Sequence, residues 1–282
     1  DGQRKLRIAH QRAALLASLP VGGQRVASQI KLPAQGALIV AEVVCMLGFA
    51  LLIQRQWGKP GPMPWPNWRA LGASAKSTPL WSAPLFFGAG ALFGVTANAI
   101  GGLVTITVPG MQEQAQQYAE RVEQMLAPGD PVVAVLAILS VSVFAPLCEE
   151  AFFRGTLLPV QREHEPIWMA ILFNGLLFSL LHMNAPGALS LALLGCAMAY
   201  LTVRSGSIWP AILCHAGVNT FNGVILPRYA EHAGVDMTNI EPEWTEVLLL
   251  LAVTLPLSTV VIWWLGERLL GGKEVAKQAA EN

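Results

Sequence analysis

The sequence predicts an all-α protein: a polytopic membrane helix bundle of about seven transmembrane helices, within a range of six to eight. Composition is the first reason. Of 282 residues, 54% are hydrophobic and 13% charged, where an ordinary soluble domain carries about 25% charged residues. Mean hydropathy is +0.49. The second reason is that apolar stretches recur at about the 20 residues needed to cross a ~30 Å hydrocarbon core. The third is that Pro-, Gly- and charge-containing turns separate them. Lys+Arg 18 against Asp+Glu 18 gives a formal net charge of +0, so no nucleic-acid partner is expected; the lipid bilayer is the partner that composition implies. Cys45, Cys148, Cys196 and Cys214 lie in apolar stretches without metal-ligand spacing and read as small hydrophobes.

In chain order, residues 1–33 are basic (Arg4, Lys5, Arg7, Arg12, Arg25, Lys31) and form a tail or surface helix. Residues 34–53 are the first span, with Glu42 as a lone carboxylate that is either protonated or faces other helices, readings ranked ahead of a catalytic one. Residues 54–79 form a loop whose prolines exclude regular helix and whose indoles, Trp57, Trp65 and Trp68, suit a membrane interface. Residues 80–108 exceed one crossing and fall short of two, which predicts a tilted or Gly-broken helix. A Gln/Glu-rich helix then lies outside the bilayer, within 109–130. Pro131 opens a third span, closed by the polar turn Gln161 to Pro166. Residues 167–183, 187–203, 207–226 and 247–265 supply four more.

The third span carries the charges that need explaining. No charged side chain occurs from Pro131 to Cys148, and then Glu149, Glu150 and Arg154 follow within one short stretch. Ionisable groups at bilayer depth are functional-site candidates by default. Glu150 and Arg154 stand at i and i+4 on one helix face and can pair, while Glu149 points roughly 100° away. Two more polar spots interrupt later helices: His182, i+4 from Phe178, and His215, i+4 from Asn219. Counted from the 163–166 turn, Glu149 and His182 both lie roughly 21 to 24 Å along adjacent antiparallel helices, hence at similar depth. His215 and Asn219 lie about 12 to 18 Å from the next turn, close enough for tilted helices to join them. A carboxylate beside a histidine can hold a water and take its proton. A second His with an Asn supplies two donors for the oxyanion of a tetrahedral intermediate.

Glu149-Glu150-x-x-x-Arg154, Phe178-x-x-x-His182 and His215-x-x-x-Asn219, in that order on apolar helices, resemble the three motifs of the CPBP family, also called ABI: the CaaX proteases and bacteriocin-processing enzymes. The resemblance covers about 131–222 and includes the turn Arg204 to Trp209. It implies a glutamic intramembrane endopeptidase, of the type II CaaX prenyl protease kind, without metal or other cofactor. In that reading Glu149 and His182 activate the water, His215 and Asn219 form the oxyanion site, and Glu150 with Arg154 brace the first carboxylate. The substrate is a protein or peptide; eukaryotic members of the family remove the C-terminal tripeptide of prenylated CaaX proteins. One integrated membrane domain then divides into 1–130, a basic segment with two spans, 131–226, the catalytic core, and 227–282, a final span and polar tail.

Bland readings compete at each residue. A Glu-Glu-x-x-x-Arg string on a soluble helix is a solvated ion pair worth roughly 0.3 to 0.5 kcal/mol. His182 or His215 alone would be a satisfied core histidine, and Asn219 alone a bridge between helices. Phe178 reads as packing behind His182, and Cys148 as structural, its apolar setting leaving the thiol inert. Asn174 and Ser179 are lower-ranked candidates for hydrogen bonds in the cavity. Two whole-protein alternatives stand beside the protease. One is a zinc metallopeptidase with His182, His215 and Glu149 as ligands, ranked lower because no His-Glu-x-x-His occurs. The other is a non-enzymatic membrane binding, immunity or proton-relaying protein.

Overall fold

Residues 80–126, 131–236 and 241–269 are described by the computed structural model, all within the unit Glu42–Asn282. The expected basic segment, the 34–53 span with Glu42, Cys45 and the Pro/Trp loop lie outside the described residues. Seven helices follow in order. Helix α1, Leu80–Thr107, begins with the 3-10 turn Leu80–Ser82. Next come α2, Met111–Leu126, and α3, Pro131–His164. Helix α4 is Ile167–Leu181, α5 is Ala188–Ser205, and α6 spans 209–233. Helix α7 is Trp244–Trp264, continued by the π turn Leu265–Leu269. The chain is a multi-pass membrane protein: α1, α3, α5 and α7 are long and apolar enough to cross a bilayer. Helix α4 is a shorter apolar helix of 15 residues.

Local chemistry explains the ends. Pro166, with φ −55, precedes α4, where its missing N–H withholds nothing a helix start could use. At the other end Met183 adopts φ 46, in the sparsely populated left-handed region, and turns the chain immediately after His182. Helix α5 ends on Gly206, φ 63, whose N–H reaches the Thr202 carbonyl, the glycine-terminated helix end that Cβ-bearing residues resist.

Of the two forms expected for the 80–108 segment, tilted or Gly-broken, the break does not occur; residues Ala83–Thr107 form one continuous helix. Its glycines serve packing instead. A Cβ at Gly90 would stand 1.8 Å from the Cys214 carbonyl oxygen, and one at Gly217 would stand 2.1 Å from that of Phe87. Helices α1 and α6 thus approach backbone to backbone, as small residues permit in membrane bundles. Gly175 and Gly195 do the same between α4 and α5. Backbone groups in a bilayer have no water to turn to, so an interior glycine need not interrupt the helix.

Around these contacts Phe86, Phe153, Phe178, Met198, Cys214 and Ile262, one from each helix but α2, belong to a single buried cluster. Helix α7 is tied on by polar links: Thr96 donates to the Thr254 carbonyl at 3.2 Å, and Arg204 and Tyr200 of α5 both bond Glu267.

Three π turns, Ser140–Phe144, Phe153–Leu157 and Phe221–Ile225, were not foreseen from the sequence. Each is followed by one residue and then a proline: Pro146, Pro159 and Pro227. Proline inside a helix lacks an N–H and crowds the carbonyl one turn earlier, and widening to i→i+5 bonding relieves both. The correspondence is not strict. Pro256 sits inside α7 without such a turn, and Leu265–Leu269 forms one without proline.

Candidate active site

The short α-helical piece Ala145–Phe152 between the first two π turns carries Glu149 and Glu150, both buried. Arg154, in the following π turn, is 1% exposed. Its Nη1 donates to Glu150 Oε1 at 2.9 Å and its Nη2 to the Gly195 carbonyl at 2.9 Å. The i,i+4 pairing expected of Glu150 and Arg154 is therefore present, with both side chains 0% exposed. The Arg154 guanidinium carbon also lies 4.7 Å from the centroid of Phe178 and 5.4 Å from that of Phe153, within cation–π range.

The two histidines converge on the carboxylates from different helices. His182 caps the C-terminus of α4, where its Nδ1 lies 2.7 Å from the Phe178 carbonyl. A carbonyl only accepts, so Nδ1 carries the hydrogen, and in the neutral ring Nε2 presents a lone pair. That Nε2 stands 3.6 Å from Glu149 Oε2, at the matching depth the register count expects. His215 of α6 is 2% exposed. Its Nδ1 lies 2.9 Å from Glu150 Oε1, so the oxygen that takes Arg154 also takes this ring. Its Nε2 is 3.9 Å from Glu149 Oε2.

One carboxylate is thus bound on two sides by Arg154 and His215, while the other faces both imidazole Nε2 atoms. Phe178 fills the space behind them, its centroid 4.4 Å from that of His182 and 5.5 Å from that of His215; it packs, as expected. Asn219, one turn beyond His215, donates from Nδ2 to the Val141 carbonyl at 2.9 Å.

The other residues weighed from the sequence fall outside this cluster. Asn174, fully buried, donates to the Phe153 carbonyl and to Gln161 Oε1, both at 2.9 Å. Ser179 donates to the Ala188 carbonyl. Cys148 and Cys214 are buried and not disulfide-bonded. Among the described residues no group of three His, Cys, Asp or Glu is placed to hold a metal ion.

Two features of the site escape sequence reasoning: the Gly195 carbonyl that shares Arg154, and the choice of Glu150 as the Nδ1 partner of His215. Neither has a residue-type signal. The first is a backbone acceptor exposed by close helix approach, and the second depends on how α6 is rotated against α3.

Comparison with known proteins bears on the same region. Residues 131–221 match the family model described as type II CAAX prenyl endopeptidase, Rce1-like. A protein of Escherichia coli described as an uncharacterized 24.3 kDa protein is 33% identical over 91 residues, which are 30% of this chain and 42% of that protein. The chain therefore spans less than half the length of this curated relative. No solved structure matches.

Proposed function

We propose, from the premise that residues 131–221 are an Rce1-like type II CAAX prenyl endopeptidase domain, that the chain is an intramembrane endopeptidase whose water is activated by Glu149 and His182. The observation that carries this reading is the 3.6 Å separation of His182 Nε2 and Glu149 Oε2 within an apolar bundle. With Nδ1–H bonded to Phe178, the neutral His182 ring offers Nε2 as an acceptor, and the Glu149 oxygen is also an acceptor. A water between them can donate one hydrogen to each. That leaves its oxygen lone pairs directed at a scissile carbonyl, and the carboxylate takes a proton as the C–O bond forms.

His215 and Asn219 are the proposed donors to the resulting oxyanion. His215 gives Nδ1 to Glu150, so donation from Nε2 requires its imidazolium form. Asn219 gives one amide hydrogen to Val141 and has a second. Glu150 and Arg154 brace the arrangement. The proposed substrate is a peptide bond near the C-terminus of a prenylated CaaX-type protein, approached from within the bilayer, with no metal or other cofactor.

The test is cleavage of a farnesylated CaaX peptide, and of the same peptide without its lipid, by purified protein with and without a strong chelator. Release of the C-terminal tripeptide from the lipidated peptide alone, unchanged by chelator, is the expected result. Cleavage lost to chelator and restored by zinc would move the assignment to a metallopeptidase. No cleavage of either peptide would contradict the substrate class.

A further inference from the structure

We infer that Asn219 is a positioning residue: its side chain supplies the hydrogen bond that Pro146 withholds from the Val141 carbonyl, and so holds the π turn on which the direction of Glu149 depends. In Ser140–Phe144 the Ala145 N–H is bonded to the Ser140 carbonyl. The next carbonyl, that of Val141, would take the N–H of residue 145 in α geometry or of residue 146 in π geometry. The first is engaged and the second does not exist, because residue 146 is proline. Within a bilayer no bulk water fills the gap. Asn219 Nδ2 fills it at 2.9 Å.

The consequence is rotational. One residue is about 100° of helix, and a π turn inserts one residue relative to α geometry. Loss of the turn would swing Glu149 away from both imidazoles. The far side of the same helical piece is also held from a neighbouring helix: Asn174, from α4, donates to the Phe153 carbonyl at the second π turn, beside the Leu158 N–H that the same carbonyl accepts. The carboxylates are therefore borne on a short helix anchored at each end by an asparagine from a neighbouring helix. For its effect on rate the inference rests on the protease reading. For its effect on structure it does not.

The experiment compares Asn219→Ala, Pro146→Ala and the double variant by thermal midpoint in detergent and by kcat and KM on the farnesylated peptide. Pro146→Ala restores an N–H within reach of Val141. Asn219→Ala is expected to lower the midpoint and to reduce kcat by about 10²-fold or more, the loss typical of an oxyanion donor, with a smaller change in KM. The double variant should regain the midpoint and about tenfold in kcat, the equivalent of roughly one hydrogen bond. A double variant no better than Asn219→Ala in either respect overturns the inference, because an oxyanion role alone gives Pro146→Ala nothing to rescue.

If the wild type cleaves neither peptide, the proposed substrate class fails and the midpoints alone decide the inference. If Pro146→Ala cannot be purified, hydrogen exchange on Asn219→Ala decides. Faster exchange confined to 140–148 supports the inference, and exchange unchanged there contradicts it.

Discussion

Glu149→Gln is expected to abolish cleavage while leaving expression, purification and thermal midpoint near those of the wild type. Glutamine fills the same volume, so packing against His182 and His215 is kept. What it removes is the ability to accept the water proton, because an amide oxygen is far less basic than a carboxylate. General-base catalysis contributes typically about 10²- to 10⁴-fold, and the loss should fall in or beyond that range. It should appear in kcat, with KM moving little, since the group acts on the water and not on the lipid or peptide. A Glu149→Gln protein cleaving within a factor of two or three of the wild type would remove Glu149 from the reaction.

Arg154→Ala is expected to act in the opposite way, through the fold. The guanidinium bonds Glu150 at 2.9 Å, and both side chains are fully buried. Removing one partner of a buried pair leaves the other charge uncompensated, at a cost of about 3 to 5 kcal/mol. Arg154→Ala also strips a donor from the Gly195 carbonyl and a cation from the faces of Phe178 and Phe153. Poor yield and a sharply lowered thermal midpoint are the predicted outcome, measured on detergent-purified protein. Wild-type stability in Arg154→Ala would show that Glu150 is held by other means.

Much of this was legible in the sequence because helical geometry is so regular. The i,i+4 spacing announces the Glu150–Arg154 pair, and counting residues from the 163–166 turn puts Glu149 and His182 at one depth. The helices of 80–107, 131–164 and 188–205 follow from apolar length bounded by Pro, Gly and charge. What escaped is whatever departs from regular geometry or depends on backbone. Three π turns come just before prolines, and Asn219, whose amide bonds the Val141 carbonyl that Pro146 cannot reach with an N–H, carries no mark of that task. His215 and Asn219 share a helix face, but that spacing does not disclose that His215 Nδ1 meets Glu150. The close contact of α1 with α6 at Gly90 and Gly217 is likewise one that no residue pattern on α6 alone discloses. The glycines of 80–107 leave a tilted and a broken helix equally open in the sequence, because their use as a packing groove shows only once the partner helix is seen.

In the proposed mechanism two adjacent buried carboxylates divide the work, Glu149 facing the reaction and Glu150 holding the site together. The most direct test compares Glu149→Gln and Glu150→Gln in parallel, measuring cleavage of the farnesylated peptide by product mass and stability by thermal midpoint. Glu149→Gln is expected to be stable and inactive. Glu150→Gln, which leaves Arg154 buried without its counter-charge, is expected to be markedly destabilised. A stable, inactive Glu150→Gln beside an active Glu149→Gln would contradict this division of work.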